Sequence, residues 1–299
     1  MKHTAVWLGV GMALGIAVGV IGAQVLPTAQ ELPGRPAALP GEQPAPASKA
    51  RRPVVFIPGN VTPAASTYGP LLEVLKAEVQ PILKELELYA ADTPPPDYTV
   101  EVEVEGLRRA ADAAGLKRCH LVGYSWGGTI ALAFAMKYPE RVKSLTLTDP
   151  YSAINDGSPE VTVYWAEMDR VMALPPEERV RAFLRVLMRP GVEPPPRPPG
   201  PPPPWMATRP AGLIAWNRAR KAYTLDRERV RRLRQPIYLA RAGLSPPAYE
   251  RGVLALASLL PDVTVEVYEA RSHIDAPHRA EPERFARGLR ELWRRAEAD

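Results

Sequence analysis

A serine set among glycines is the first feature of the sequence that could carry out chemistry. The stretch Gly123-Tyr124-Ser125-Trp126-Gly127 follows the apolar run CHLV and precedes TIALAFAMKYP, which is rich in helix formers. Between a strand and a helix, this pattern places the serine on a sharp turn, with its hydroxyl exposed near the helix amides. Such a hydroxyl becomes a nucleophile when a base removes its proton and hydrogen-bond donors stabilise the oxyanion. The sequence therefore predicts Ser125 as a nucleophile; the alternative is a glycine-rich turn with an idle serine.

The segments around Ser125 alternate between short apolar runs and amphipathic stretches. This alternation predicts an α/β fold with a mostly parallel, doubly wound sheet, whose ligand sites lie at the carboxyl ends of the strands. The predicted strands are 54–59, 85–90, 119–124, 144–149, 236–242 and 264–270, and the predicted helices are 68–79, 102–114, 126–138, 247–260 and 282–294.

The alternation breaks at about residues 154–235. Ten of the fifteen residues in 190–204 are proline, which favours polyproline II and excludes strand pairing. Because the strand pattern resumes afterwards, we interpret the segment as a helical, proline-rich cap inserted over the sheet edge rather than as a linker between two domains. Trp165, Trp205 and Trp216 are candidates for the roof of an apolar pocket, and packing within the cap is the alternative for each.

The N-terminal residues predict export. Residues 5–26 carry no charge and are long enough to span a bilayer, so we interpret residues 1–29 as a membrane anchor or signal segment. Residues 30–52 are rich in proline and alanine and predict a disordered linker. The folded domain then covers residues 53–299 and lies outside the cytoplasm, anchored to the membrane or, if the leader is cleaved, periplasmic or secreted.

The charged and metal-ligating residues indicate neither a nucleic-acid partner nor a metal. The net charge is +5, but the densest basic run, RERVRRLR at residues 227–234, has no interleaved aromatic residue and is typical of a solvated helix face. Cys119 is the single cysteine, and the four histidines have no metal-site spacing.

Three further stretches resemble the α/β-hydrolase superfamily: VVFIPGN, YPERVKSLTLTDP and RSHIDAPHRAEPERF. The resemblance covers about residues 54–293 and is to capped serine esterases, cofactor-free peroxidases and C–C bond hydrolases. It implies an oxyanion hole made by the backbone N–H groups of Asn60 and Trp126. Pro58 stands where the family usually has a histidine, but the donors required are backbone groups.

The same resemblance places the catalytic base in the loop after the last strand. His273 in YEARSHIDAPH occupies that place and comes last in chain order. His278, five residues later, is the weaker candidate.

The position of the catalytic acid departs from the common pattern of the family. Ser245-Pro246 stands where most relatives carry an aspartate, after the strand at residues 236–242. A minority of the superfamily places its acid one strand earlier, which implies Asp149, within hydrogen-bond reach of His273. Glu250 and Asp156 are the alternative candidates for the catalytic acid. The alternative role for Asp149 is that of a residue that only forms a turn.

A serine at this turn implies an acyl-enzyme, and hence hydrolysis of an ester, thioester, lactone, amide or activated C–C bond of a small, apolar molecule. No cofactor is called for. A carboxylesterase is the leading hypothesis. A C–C bond hydrolase or cofactor-free peroxidase would use the same three residues, and a non-catalytic binding protein on this fold is the alternative of a different class.

Overall fold

A six-stranded, wholly parallel sheet organises the part of the chain that the computed structural model describes, residues 51–150, 157–195 and 199–298. The strand order is β2-β1-β3-β4-β5-β6. The strands are β1 (Arg52–Ile57), β2 (Val79–Leu83), β3 (Cys119–Tyr124), β4 (Val142–Thr148), β5 (Ile237–Ala242) and β6 (Val263–Tyr268).

Helices connect the strands and cover the sheet. They are α1 (Ala64–Leu75), α2 (Val100–Ala113), α3 (Trp126–Lys137), α4 (Pro159–Met172), α5 (Pro176–Val186), α6 (Arg209–Ala222), α7 (Arg227–Arg231), α8 (Pro247–Ala257), α9 (Pro277–Ala280) and α10 (Pro282–Ala296). Short 3₁₀ turns occur at Glu87–Tyr89, Pro139–Arg141 and Pro204–Thr208.

The two faces of the sheet carry separate apolar cores. Along β1, Val54 and Phe56 pack on one face with α1 and α10, whereas Val55 and Ile57 pack on the other face with α2 and α3. Successive side chains of a strand point to opposite faces, so a strand buried on both sides is apolar throughout. The predicted doubly wound α/β fold is thereby confirmed.

The segment between β4 and β5 holds the helices α4 to α7. Residues 190–195 and 199–203 contain neither helix nor strand, as the proline content predicts. The helices α4, α5 and α6 pack on one another, and α4 also contacts α8. The role of this insertion as a cap over a substrate site stays a prediction.

The predicted strand at residues 85–90 is wrong. The second strand is β2, which begins at Val79, the last residue of the predicted helix 68–79, and continues to Leu83. The helix itself, α1, ends at Leu75. Pro81 lies inside β2 without disrupting the sheet, because β2 is an edge strand. The alternation of ELELYA arises from two buried leucines, Leu86 just before a 3₁₀ turn and Leu88 within it.

The prediction of a leader in residues 1–29 and most of the predicted linker lie outside the described residues. Within residues 51–150, 157–195 and 199–298, no helix combines the length and the apolar character needed to cross a bilayer.

Candidate active site

Ser125 lies in the turn between β3 and α3 in a strained backbone conformation. Its φ of 55° and ψ of −119° are rare for a residue with a side chain. Its N–H donates to the carbonyl of Thr148, 2.9 Å away on the adjacent strand β4, which ties the turn to the sheet. The serine is 8% exposed, so the hydroxyl lies at the edge of the interior. The strand-turn-helix context predicted for this serine is present.

The glycines on either side of Ser125 permit the turn. A Cβ on Gly123 would lie 2.4 Å from the carbonyl oxygen of Gly127, and a Cβ on Gly127 would lie 2.3 Å from that of Ile57. Both distances are far below van der Waals contact, so only glycine allows α3 to start directly against β3 and β1.

His273 lies within hydrogen-bond distance of the serine. Its Nε2 is 2.9 Å from the Ser125 Oγ, and the histidine is 1% exposed. The hydroxyl of Tyr124 donates to the His273 carbonyl, and the Tyr249 ring packs on the imidazole with the ring centroids 4.6 Å apart. When the proton of the neutral ring is on Nδ1, Nε2 can accept the serine proton.

Asp149 lies on the other side of the imidazole, at the end of β4. Its Oδ2 is 3.4 Å from the His273 Nδ1, and both residues are buried. This distance exceeds the predicted hydrogen-bond reach, and Nδ1 makes no hydrogen bond within the described part of the chain. Asp149 also has a positive φ of 39°, which turns the chain as it leaves the sheet. The structure thus places His273 between Ser125 and Asp149. The Asp149 carboxylate is withdrawn from the imidazole, slightly beyond hydrogen-bond distance.

Two other donors account for the withdrawn position of the Asp149 carboxylate. The Ala242 N–H donates to Oδ1 at 3.0 Å, and the Ser245 hydroxyl donates to Oδ2 at 2.6 Å. Oδ2, the oxygen nearest the imidazole, is therefore already bound to a hydroxyl. Ser245 contributes to the site, and the sequence did not predict this role. The available signal was its position, because it stands where most relatives carry the acid.

The rival residues lie in other environments. Glu250 is on α8, where its carboxylate forms ion pairs with Arg189 and Arg241 at 3.7 and 3.5 Å. Asp156 lies outside the described residues. His278 is buried between Tyr68 and Tyr124, and burial, reinforced by the charge of Arg279, lowers its pKa to about 3.

The two predicted oxyanion donors belong to segments that meet at Ser125. A Cβ on Gly59 would lie 3.2 Å from the Cβ of Ser125, so the loop that carries Asn60 passes directly beside the serine. Asn60 and Trp126 are both buried. Their assignment as donors stays a prediction.

The three tryptophans predicted for a pocket differ in their surroundings. Trp216 is buried and packs edge-on against Trp126, the residue after the serine, with centroids 6.1 Å apart. Trp165 and Trp205 are half-buried, each covered by a guanidinium. Trp216 therefore lies next to the serine turn, whereas a substrate contact for any of the three stays a prediction.

No group of three or more side chains suited to a metal occurs within residues 51–150, 157–195 and 199–298. A cavity of about 310 Å³ lies between α2, α3 and α6, but none of Ser125, His273 and Asp149 lines it. Chemistry at the serine therefore does not take place in that cavity.

Comparisons with known proteins agree with the fold described above. The sequence profile of a family described as "alpha/beta hydrolase fold" matches residues 88–185. The chain has the α/β-hydrolase fold. It is similar to the structure of a thermophilic esterase from Thermogutta terrifontis, with a TM-score of 0.58 and 21% identity over 82% of this chain and 90% of the other.

Two further relatives are named as hydrolases of particular compounds. The meta-cleavage product hydrolase of Pseudomonas fluorescens IP01 matches with a TM-score of 0.57 and 18% identity, over 82% of this chain and 91% of that one. The 2-hydroxy-6-oxo-6-phenylhexa-2,4-dienoate hydrolase of Comamonas testosteroni is 45% identical over 49 residues, which are 16% of this chain and 17% of the relative. The chain spans less than half the length of the curated relatives it matches. The structural likenesses concern the fold alone.

Proposed function

We propose that the chain is a serine hydrolase that cleaves an ester or similar acyl bond of a small apolar substrate through an acyl-enzyme on Ser125. The observation that carries the proposal is the 2.9 Å contact between the Ser125 Oγ and the His273 Nε2, at a serine held in a strained turn. An idle serine has no need of a strained backbone and a buried imidazole beside its hydroxyl.

In the proposed reaction, His273 accepts the proton of Ser125 at Nε2 as Oγ attacks the substrate carbonyl. The bond between Oγ and the carbonyl carbon forms, and the carbonyl oxygen becomes an oxyanion held by the N–H groups of Asn60 and Trp126. His273 then gives its proton to the leaving group as the bond from that group to the carbonyl carbon breaks, and the acyl-enzyme remains. Water, deprotonated by His273, attacks the acyl carbon; the bond to Oγ breaks, and His273 returns the proton to Ser125 as the carboxylic acid leaves.

Asp149 supports the histidine in this scheme. An imidazole that presents Nε2 to the serine carries its proton on Nδ1, which faces the carboxylate at 3.4 Å. The buried negative charge stabilises the imidazolium formed during the reaction. When the ring becomes charged, a small shift of His273 toward Asp149 would shorten this contact, since catalytic hydrogen bonds often tighten only in the transition state.

A fluorophosphonate probe tests the proposal directly, because it forms a covalent adduct with an activated serine. We expect the wild-type chain to be labelled at Ser125, as located by peptide mass spectrometry, and Ser125→Ala to remain unlabelled. Ser258→Ala is a matched control, because the Ser258 hydroxyl lies at the exposed end of α8 and donates to the Ala255 carbonyl. A wild-type protein that is folded but unlabelled would indicate a binding protein on this fold instead.

Hydrolysis of a C–C bond is the second candidate, favoured by the similarity to a 2-hydroxy-6-oxo-6-phenylhexa-2,4-dienoate hydrolase and to a meta-cleavage product hydrolase. The same serine, histidine and aspartate would serve. Assays of p-nitrophenyl acetate and of 2-hydroxy-6-oxo-6-phenylhexa-2,4-dienoate under the same conditions separate the two functions. A kcat/KM for the dienoate that exceeds that for the ester by a factor of ten or more would favour the C–C hydrolase.

We also propose that residues 5–26 export the chain and leave the catalytic domain outside the cytoplasm. The support is the uncharged sequence of this segment and the positive charge at Lys2, since positive flanks tend to stay inside. Cell fractionation with protease accessibility tests it. Full-length protein found soluble in the cytosol with an intact leader would contradict it.

A further inference from the structure

Glu103 is a buried carboxylate to which the proposed reaction gives no role. It lies on α2, is 1% exposed, and its burial raises its pKa. A carboxylate is rarely placed in the interior unless hydrogen-bond donors or a cation compensate for the lost water. The donors around Glu103 lead from it to both sides of the serine turn.

The first connection runs to Asn60. The N–H groups of Glu87 and Leu88 donate to the two carboxylate oxygens of Glu103, each at 3.0 Å. These amides open the 3₁₀ turn whose last residue, Tyr89, donates its hydroxyl to the Asn60 carbonyl at 2.6 Å. Glu103 therefore fixes the turn that holds Asn60.

The second connection runs to Trp126. The indole N–H of Trp126 donates to the hydroxyl of Tyr98 at 2.8 Å. That hydroxyl interacts with the Glu103 carboxylate, whose charge adds to the larger effect of burial in raising the pKa of Tyr98. All three side chains are buried, so water does not replace these contacts.

We propose that Glu103 is a positioning residue that fixes both oxyanion donors, Asn60 through Tyr89 and Trp126 through Tyr98. The proposal rests on the serine hydrolase function given above. Donors stabilise an oxyanion well when they are already aimed at it and need no reorganisation during the reaction. A single carboxylate that is linked to both sides of the oxyanion hole keeps the distance between the backbone N–H groups of Asn60 and Trp126 constant, within the roughly 0.5 Å that such sites require.

Glu103→Gln tests this role. The amide puts an NH₂ donor where a carboxylate oxygen accepts a backbone N–H, which displaces the 3₁₀ turn and Tyr98. Because losing one oxyanion donor outright lowers kcat by about 10²–10³, a displaced pair should lower kcat on p-nitrophenyl acetate by about 10–100-fold, with KM changed less than about threefold. Glu101→Gln on the same helix is the matched control, since its carboxylate is exposed and pairs with Lys137.

Two milder variants separate the connections and keep the test decisive if Glu103→Gln does not fold. Tyr98→Phe removes only the link to Trp126, and Tyr89→Phe only the link to Asn60. We expect each to lower kcat by about 3–10-fold, less than a lost donor. Unchanged kcat in both, or a change confined to KM, would overturn the proposal.

Hydrogen exchange of the Trp126 indole N–H provides a readout that does not depend on activity. In ¹⁵N-tryptophan-labelled protein, with Trp126→Phe used to assign the resonance, this proton should exchange more than about tenfold faster in Glu103→Gln and in Tyr98→Phe than in the wild type. Equal exchange rates would overturn the network. If the wild type fails to react with a fluorophosphonate, the hydrolase function fails, while the exchange rates still decide whether Glu103 holds Trp126.

Discussion

The Ser245 hydroxyl donates a 2.6 Å hydrogen bond to the carboxylate of Asp149, from the loop after β5 to the end of β4. The bonded oxygen, Oδ2, is the one that faces the His273 Nδ1 at 3.4 Å. Both residues are buried, so this bond is protected from water. The loop in which most relatives carry the acid thus still contributes to the site, as a donor to a carboxylate supplied by the neighbouring strand.

Asp149→Asn should lower kcat by roughly 10²–10⁴, by analogy with a triad in which the same exchange costs about 10⁴. The amide favours the wrong imidazole tautomer and removes the charge that stabilises the imidazolium. Steady-state kinetics on p-nitrophenyl acetate measure the loss, and a circular dichroism spectrum confirms the fold.

Glu250→Gln is the control for this exchange. Glu250 pairs with Arg189 and Arg241 away from the imidazole, so its kcat should change by less than about tenfold, or 1.4 kcal/mol of barrier. A larger effect at Glu250 than at Asp149 would mean that the acid is misassigned.

Moving the acid to position 245 should restore activity lost at position 149. The Ser245 Oγ already lies 2.6 Å from the oxygen that faces His273, so a carboxylate there can reach Nδ1. We expect Asp149→Asn/Ser245→Asp to recover at least about tenfold in kcat over Asp149→Asn alone, a change of about 1.4 kcal/mol.

The matched control for this rescue is Asp149→Asn/Ser245→Asn, which has the same shape without the charge and should stay as slow as the single variant. Equal kcat values for the two double variants would show that position 245 cannot supply the acid.

The sequence predicted the parts of the fold and site that depend on local pattern. Ser125 was identifiable as a candidate because it lies in a five-residue turn motif, and His273 because the family resemblance implies a base in the loop after the last strand. Strand β2 was missed because an edge strand needs little apolar sequence, and its Pro81 argues against a strand. Ser245 and Glu103 were missed because their roles come from contacts between segments 96 and 15 residues apart, which no local pattern reports.

Trp216→Ala should destabilise the protein, whereas Trp205→Ala should change substrate preference. Trp216 is buried against Trp126 and Phe183, so its truncation should cost about 3–5 kcal/mol of unfolding free energy. Trp205 is half-buried under the Arg209 guanidinium, and its loss should cost less than about 1.5 kcal/mol.

Urea unfolding and a p-nitrophenyl ester series from acetate to octanoate measure the two effects. If Trp205 lines the pocket, the ratio of kcat/KM for the long and short esters should change by about tenfold or more, near 1.4 kcal/mol. An unchanged ratio together with a large loss of stability would identify Trp205 as part of the packing of the insertion.

Acid should destabilise the protein through His278. Burial, with a smaller contribution from the charge of Arg279, lowers the pKa of this histidine from 6.5 to about 3. Between these values the unfolded chain binds a proton that the native state does not, so the free energy of unfolding falls as the pH falls through 6.5 toward 3. For this one group the loss between about pH 7.5 and about pH 5 is about 2 kcal/mol.

His278→Phe removes the titration and keeps an aromatic ring among Tyr68, Tyr124 and Phe285. Urea unfolding curves at the two pH values should show a loss about 2 kcal/mol smaller for the variant than for the wild type, with equal m-values. The comparison cancels the acid sensitivity of the other groups, including buried His120, whose pKa burial lowers to about 4. Parallel losses in the two proteins would mean that His278 binds its proton equally in the native and unfolded states.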